Sequence, residues 1–170
     1  MIDLETCIRA LNTNKVRFVL IGGVAMTVQG SAYVTNDIDI AYSNDRSNLE
    51  HLVEALAPFQ PRLRMSSQET VPFKFDVRSL AAGSNFTLDT SIGAIDLLGY
   101  VSGFSDYAAI EAMSEERSLF DGVVKVLSVE GLIKAKRAAG RQKDMLAIPE
   151  LEALLEADQS GASADKGKGA

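Results

Sequence analysis

With a single cysteine, Cys7, the chain cannot close an intramolecular disulfide or build a cysteine-rich zinc site, and it suits a reducing compartment. A single histidine, His51, has no partner histidine with which to share a metal. It falls on the outer side of a helix beside Glu50 and Glu54, where a solvated ring is the ordinary outcome. Basic residues are not in excess: 17 Lys and Arg against 23 Asp and Glu give a net charge of −6. That balance argues against broad, non-specific nucleic-acid binding, although a local basic patch can still receive RNA. Long apolar runs are missing too. The most apolar stretch, Val16 to Val28, is interrupted by a glycine turn and is too short to cross a bilayer. The first residues lack a charged segment followed by an apolar one, so no secretory signal is expected. These absences point to a cytoplasmic protein with no membrane partner. No internal repeat is evident, and 170 residues suffice for one domain with a real core. The domain is expected over residues 1–157, with 158–170, small, polar and glycine-rich, as a disordered tail.

What is present has ordinary globular proportions, 46% apolar and 24% charged. Leu4, Ile8 and Leu11 share one helical face, with Cys7 in or beside it as a small hydrophobe. Val16 to Ile21 reads as a central strand, Val24 to Gln29 as a short helix closed by Gly30, and Thr35 to Tyr42 as an acidic strand. Ser43-Asn44-Asp45 supplies caps for a helix from Arg46 to Ala57, which Pro58 and Pro61 break. Short strands are expected at Leu63 to Met65 and Pro72 to Val77, around a polar loop from Ser66 to Thr70. Asn85 to Thr90 and Ala94 to Leu98 form a hairpin turning at Ser91-Ile92-Gly93. A second hairpin joins Glu116–Phe120 to Val123–Leu127 through Asp121-Gly122. Ser128 caps a basic helix to Ala139 that ends at Gly140, and a last helix runs from Pro149 to Glu156. This order predicts an α+β fold, a mixed β-sheet with helices packed on it.

The chemistry concentrates between Phe18 and Ala41. Strand side chains alternate, so Asp37 and Asp39 share one face while Ile38 and Ile40 share the other. Two neighbouring carboxylates repel and raise each other's pKa unless a cation or donor lies between them. Gly22 and Gly23 end a strand and open a helix, where free backbone N–H groups can hold an anion. Each signal alone has an ordinary reading: an acidic pair can be the wet face of an edge strand, and Gly-Gly can be only a tight turn. The dinucleotide Gly-x-Gly-x-x-Gly pattern and the Gly-Lys-Ser/Thr ending of a P-loop are both absent. Together, a phosphate cradle followed by paired acids is what a metal-bound nucleoside triphosphate requires.

Ile21-Gly22-Gly23 followed by Asp37-Ile38-Asp39-Ile40 resembles the signature of the nucleotidyltransferase superfamily, the DNA polymerase beta-like group. Gly93 to Gly99 and the block Leu132 to Asp144 resemble its AbiEii toxin-like branch. The resemblance covers about Phe18 to Leu155. It implies the nucleotidyltransferase fold, a magnesium cofactor with manganese able to substitute, an NTP donor, and transfer of a nucleoside monophosphate to a hydroxyl. It implies a third acid, matched by Asp96 inside an apolar run where an uncompensated charge is costly; Asp89 and Asp76 match that role less well. Asp37, Asp39 and Asp96 would then serve catalysis and hold the metal. Gly22 and Gly23 would grip phosphates, with Lys136 and Arg141 adding charge and Asp144 holding one of those cations. On a helix Lys136 shares a face with Gly140 and not with Lys134, so only one of the two lysines should reach the site. The acceptor implied is an RNA 3′ end, tRNA-like, or a protein, and an antitoxin is an implied partner. Two positions depart from the family: Gly23 stands where many relatives have serine, and Tyr33 where they often have arginine.

The residues leave other functions open. The fold could serve as a nucleotide sensor or antitoxin-like interaction module without turnover, and three acids could also form a two-metal nuclease site.

Overall fold

The computed structural model describes residues 1–64 and 72–165. Phe18–Ile21, four apolar residues buried on both faces, form β1. The sheet continues with β2 (Asp37–Tyr42), β3 (Arg62–Leu63), β4 (Asn85–Thr90), β5 (Gly93–Leu98), β6 (Ser114–Leu119) and β7 (Gly122–Leu127). Its order is β3-β4-β5-β2-β1-β7-β6. β1 pairs antiparallel with β2 and parallel with β7, and β2 pairs parallel with β5. The expected mixed sheet is therefore present, and the strands with the strongest apolar runs occupy its centre. Antiparallel neighbours can be joined tightly, but the parallel β2–β5 pair requires a crossover. That crossover carries α3 (Arg46–Leu56), a 3-10 turn at Ala57–Phe59, β3, a short helix and β4.

Helix α1 (Leu4–Thr13) starts at Asp3, whose carboxylate accepts from the Thr6 N–H at 3.0 Å, and it buries Cys7, Ile8 and Leu11. Burial pushes the Cys7 thiol up to about 12, so it is an inert core residue. α2 (Gly22–Val28) follows β1 directly. α6 (Val129–Ala139) opens on Ser128, which accepts from Gly131, and closes on Gly140 in the left-handed conformation. Among the described residues no helix is long and apolar enough to cross a membrane.

Several expectations are corrected. Residues 72–75 form no strand; Asp76 instead caps α4 (Val77–Ala82), accepting from the Ser79 N–H at 2.8 Å. A second unforeseen helix, α5 (Tyr107–Ala112), is capped the same way by Asp106. The second hairpin turns at Phe120 and Asp121, both with positive φ, and pairs Leu119 with Gly122. Two positive-φ central residues match the twist of the strands, so the turn sits one residue earlier than the Asp-Gly signal suggests. The last helix, α7, runs over Gln142–Asp165 with Pro149 inside it, so Pro149 does not start it and residues 158–165 are helical rather than an irregular tail. Met65, the Ser66–Thr70 loop and residues 166–170 lie outside the described residues.

Candidate active site

β1 delivers Ile21 opposite Asp39 of β2, and the chain turns at Gly22 (φ +63) straight into α2. The residue before that helix, Ile21, has no side chain able to cap it. The Asp39 carboxylate stands beside this turn from the neighbouring strand, and the Gly23 backbone lowers its pKa against the effect of burial. The approach is close: a Cβ on Gly22 would lie 2.1 Å from Asp39 Oδ2. Gly22 is required by the carboxylate beside it as much as by its own backbone.

Asp37 lies two residues from Asp39 on the same face of β2, while Ile38 and Ile40 are fully buried on the other. Parallel pairing sets Asp96 of β5 level with Asp39, so it shares that face, and Ile95 and Leu97 are buried on the opposite one. Adjacent strands are about 4.8 Å apart, which makes these acids direct neighbours. Burial first, then the charges of Asp37 and Asp96, push Asp39 up to about 6. Burial also raises Asp96, opposed by Arg64. Arg64 donates from Nε to Asp89 at 2.9 Å and from Nη2 to the Leu88 carbonyl at 2.9 Å. Its Nη2 is 3.5 Å from Asp96 Oδ1, yet that buried oxygen accepts no hydrogen bond. The contact is one of charge alone. Asp37 Oδ1 accepts from the Thr35 hydroxyl at 2.5 Å.

Among the described residues, no three His, Cys, Asp or Glu side chains are close enough together to hold a metal ion. The acids nevertheless suit magnesium in part. They offer hard oxygen donors, one of them buried without a hydrogen bond, and magnesium is usually held by one or two carboxylates with substrate phosphates completing its shell.

Above this corner, α6 and α7 close a cleft of about 400 Å³. Gly22, Asp39, Lys136, Arg141 and Asp144 line it together with apolar side chains that include Leu98, Val101 and Leu132. Asp37, Asp96 and Gly23, also expected at the site, adjoin Asp39 without lining the cleft. Asp144, 3% exposed, accepts from Arg141 Nε at 2.5 Å and from Lys136 Nζ at 3.5 Å. Burial alone would raise Asp144, but the Arg141 hydrogen bond and the two cations outweigh it and lower its pKa. Lys136 faces the cleft, whereas Lys134 lies 4.8 Å from the centre of the Phe104 ring, as the helical spacing requires. Removing a buried charge partner is costly. Because the cations it would leave unpaired keep solvent access, Arg141 most of all, Asp144→Ala is expected to lower stability by about 1–2 kcal/mol in urea unfolding.

Other residues at the site had no assigned role in the sequence. Lys143 acts by charge on both Asp39 and Asp96; its only signal was its place in the basic block. Arg64 had no usable signal, since only strand pairing brings it to the acids; Thr35, two residues before Asp37, was read only as the start of the acidic strand. Of the weaker candidates, Asp89 bonds Arg64 and Asp76 caps α4. The two departures from the family pattern meet in space. A Cβ on Gly23 would lie 2.7 Å from Thr35 Cβ and 2.9 Å from Tyr33 Cε1, so these side chains fill the place a serine would need.

No protein-family model matches the chain, and no curated protein matches it. Solved structures do. TM1012 of Thermotoga maritima, assigned as a nucleotidyltransferase, superposes with a TM-score of 0.51 at 15% identity, over 98% of this chain and 96% of that one. The antibiotic-resistance factor ANT(2'')-Ia in solution gives 0.50 at 15% identity, over 96% and 92%. ANT(2'')-Ia in complex with adenylyl-2''-tobramycin gives 0.54 at 12% identity, over 94% and 96%. At these identities the likeness is one of architecture: the chain has the nucleotidyltransferase fold, a mixed seven-stranded sheet with helices packed against it.

Proposed function

We propose that the protein transfers a nucleoside monophosphate from an NTP to a hydroxyl acceptor, with magnesium as cofactor and manganese as its substitute. The observation that carries this reading is the parallel register that sets Asp96 beside Asp39, with Asp37 on the same face under the Gly22 corner. When bound, magnesium would neutralise charge on the triphosphate and on the departing pyrophosphate. Asp39 with one of Asp37 and Asp96 would hold it, phosphate oxygens completing its shell. Gly22, which lines the cleft, would bring backbone rather than side chain to the phosphate oxygens, whereas Gly23 is covered by Tyr33 and Thr35. Lys136 and Arg141, fixed by Asp144, would steady the triphosphate in the cleft. Asp96, beside Asp39 in the sheet, would also orient the acceptor hydroxyl and favour loss of its proton.

The acceptor classes to test are an RNA 3′ end, a protein hydroxyl and a small molecule, the last because one neighbour holds adenylyl-2''-tobramycin. A role as the toxin of a pair with a cognate antitoxin belongs to this same reading.

Purified protein with each labelled NTP, magnesium, and tRNA, total protein or aminoglycoside should release pyrophosphate and label one acceptor class. Asp96→Asn is expected to reduce release by about a hundredfold or more. Absence of release with every NTP and acceptor would refute transfer. A second reading, a nucleotide sensor without turnover, is favoured by the lack of a preformed three-acid cluster among the described residues. It predicts that nucleotide raises the melting temperature with no pyrophosphate formed.

A further inference from the structure

The loop between α2 and β2 folds back along α2 and is tied at its start to α7. Glu150 Oε1 accepts twice, from the Ser31 hydroxyl at 2.7 Å and from the Ala32 N–H at 3.0 Å. Ser31, 6% exposed, accepts in turn from the Tyr33 N–H at 3.0 Å. The Thr27 hydroxyl on α2 bonds the Tyr33 carbonyl at 2.8 Å. Beyond Tyr33 the loop reaches the start of α2, where the Tyr33 ring and Thr35 cover Gly23 and the Thr35 hydroxyl bonds Asp37. The links are hydrogen bonds except from Tyr33 to Thr35, which the chain itself joins through Val34, and the run ends on one of the acids.

The other end of the run is α7, whose first turn carries Asp144 into the cleft, with Arg141 just before it. Glu150 lies nine positions after Arg141, about 14 Å along a helix. It therefore stands outside the cleft, yet through it one helix fixes both the cationic wall and the loop that orients Asp37. We propose that Glu150 is a positioning residue for the metal–nucleotide site, acting through Ser31 and the 31–36 loop on Thr35 and Asp37. This rests on the reading of Asp37 as a metal ligand. Partners behind the ligands commonly control metal affinity ten- to a hundredfold.

The test uses the full chain and three variants, Glu150→Ala, Glu150→Gln and Ser31→Ala. Binding of manganese with a non-hydrolysable ATP analogue is followed by electron paramagnetic resonance. Amide exchange at residues 33–37 is followed by NMR without metal or nucleotide. Glu150→Ala and Ser31→Ala are expected to weaken manganese–nucleotide binding about tenfold. Glu150→Gln, which keeps an oxygen acceptor, should restore it to within about threefold. Both weakened variants should also exchange faster at the Thr35 and Asp37 amides. A purely structural role would lower the melting temperature and leave the affinity of the folded protein unchanged, and that result overturns the proposal. If the wild type binds no manganese–nucleotide complex, the metal-site reading falls, and with it the role given to Glu150. The exchange data then report only whether the tie from α7 to Asp37 exists, and unchanged exchange in Glu150→Ala excludes even that.

Discussion

Asp39→Asn is expected to cut nucleotide transfer severely and, in the same protein, to raise the stability of the metal-free state. Asp39 is pushed up to about 6 by burial and by Asp37 and Asp96, against an ordinary value of 3.8. A carboxyl group whose pKa is raised by folding favours the fold while it is protonated. That contribution is complete below about pH 4 and is lost as the pH rises through about 6. Above that, the ionised group opposes folding by roughly 1–3 kcal/mol, taking 1.36 kcal/mol per unit as the upper scale. Asparagine keeps the shape while removing the charge. Its metal-free melting temperature should therefore exceed that of the wild type by several degrees at about pH 8, and the gap should narrow toward about pH 5. Calorimetry across that range measures it. Transfer should fall by a factor of about a hundred to a thousand, since a charge aimed at the reacting group has gone. Equal stability of the two proteins at high pH would show that the acids are not in electrostatic conflict.

Gly22→Ala carries the largest expected loss. The residue has φ +63, and its new Cβ would lie 2.1 Å from Asp39 Oδ2 and 2.6 Å from Asp39 Cγ. The left-handed backbone alone costs an alanine about 1–2 kcal/mol. The overlap forces Asp39 or the strand to move as well, so the total should reach about 3–5 kcal/mol and lower the melting temperature by roughly 10 °C. Gly140 separates the two causes. It has φ +65, but a Cβ there would meet only the Arg137 carbonyl oxygen at 3.8 Å. Gly140→Ala should therefore cost only the backbone component and leave transfer nearly intact. Equal losses at both positions would mean that Asp39 does not occupy the space beside Gly22.

The parts of the site written in short sequence spans were legible. Gly22-Gly23 and Asp37-x-Asp39 are each short local motifs fourteen positions apart, and strand alternation alone puts the two acids on one face. Lys136 was separated from Lys134 by helical periodicity, another local rule. Asp96 needed more: its apolar flanks marked a buried charge, but only the parallel β2–β5 register made it a neighbour of Asp39. Arg64 was illegible because it reaches Asp96 from the sheet edge through β4 and β5. The Glu150–Ser31 bond spans more than a hundred positions, and no local pattern encodes such a pairing. In the fold, the misread features involve competition between local signals. Pro149 is a good helix start, yet α7 runs through it from Gln142, where Arg141 and Asp144 fix the first turn. Residues 72–77 combine apolar residues with Asp76, and the capping bond to Ser79 prevailed over strand formation.

Crystals grown with manganese and a non-hydrolysable NTP analogue, analysed by anomalous scattering, test the central claim most directly. A peak is expected within about 2.3 Å of oxygens from Asp39 and at least one of Asp37 and Asp96, with phosphate oxygens completing the shell. A peak bound elsewhere, or a triphosphate seated away from Gly22 with these three acids unmetallated, would contradict the account.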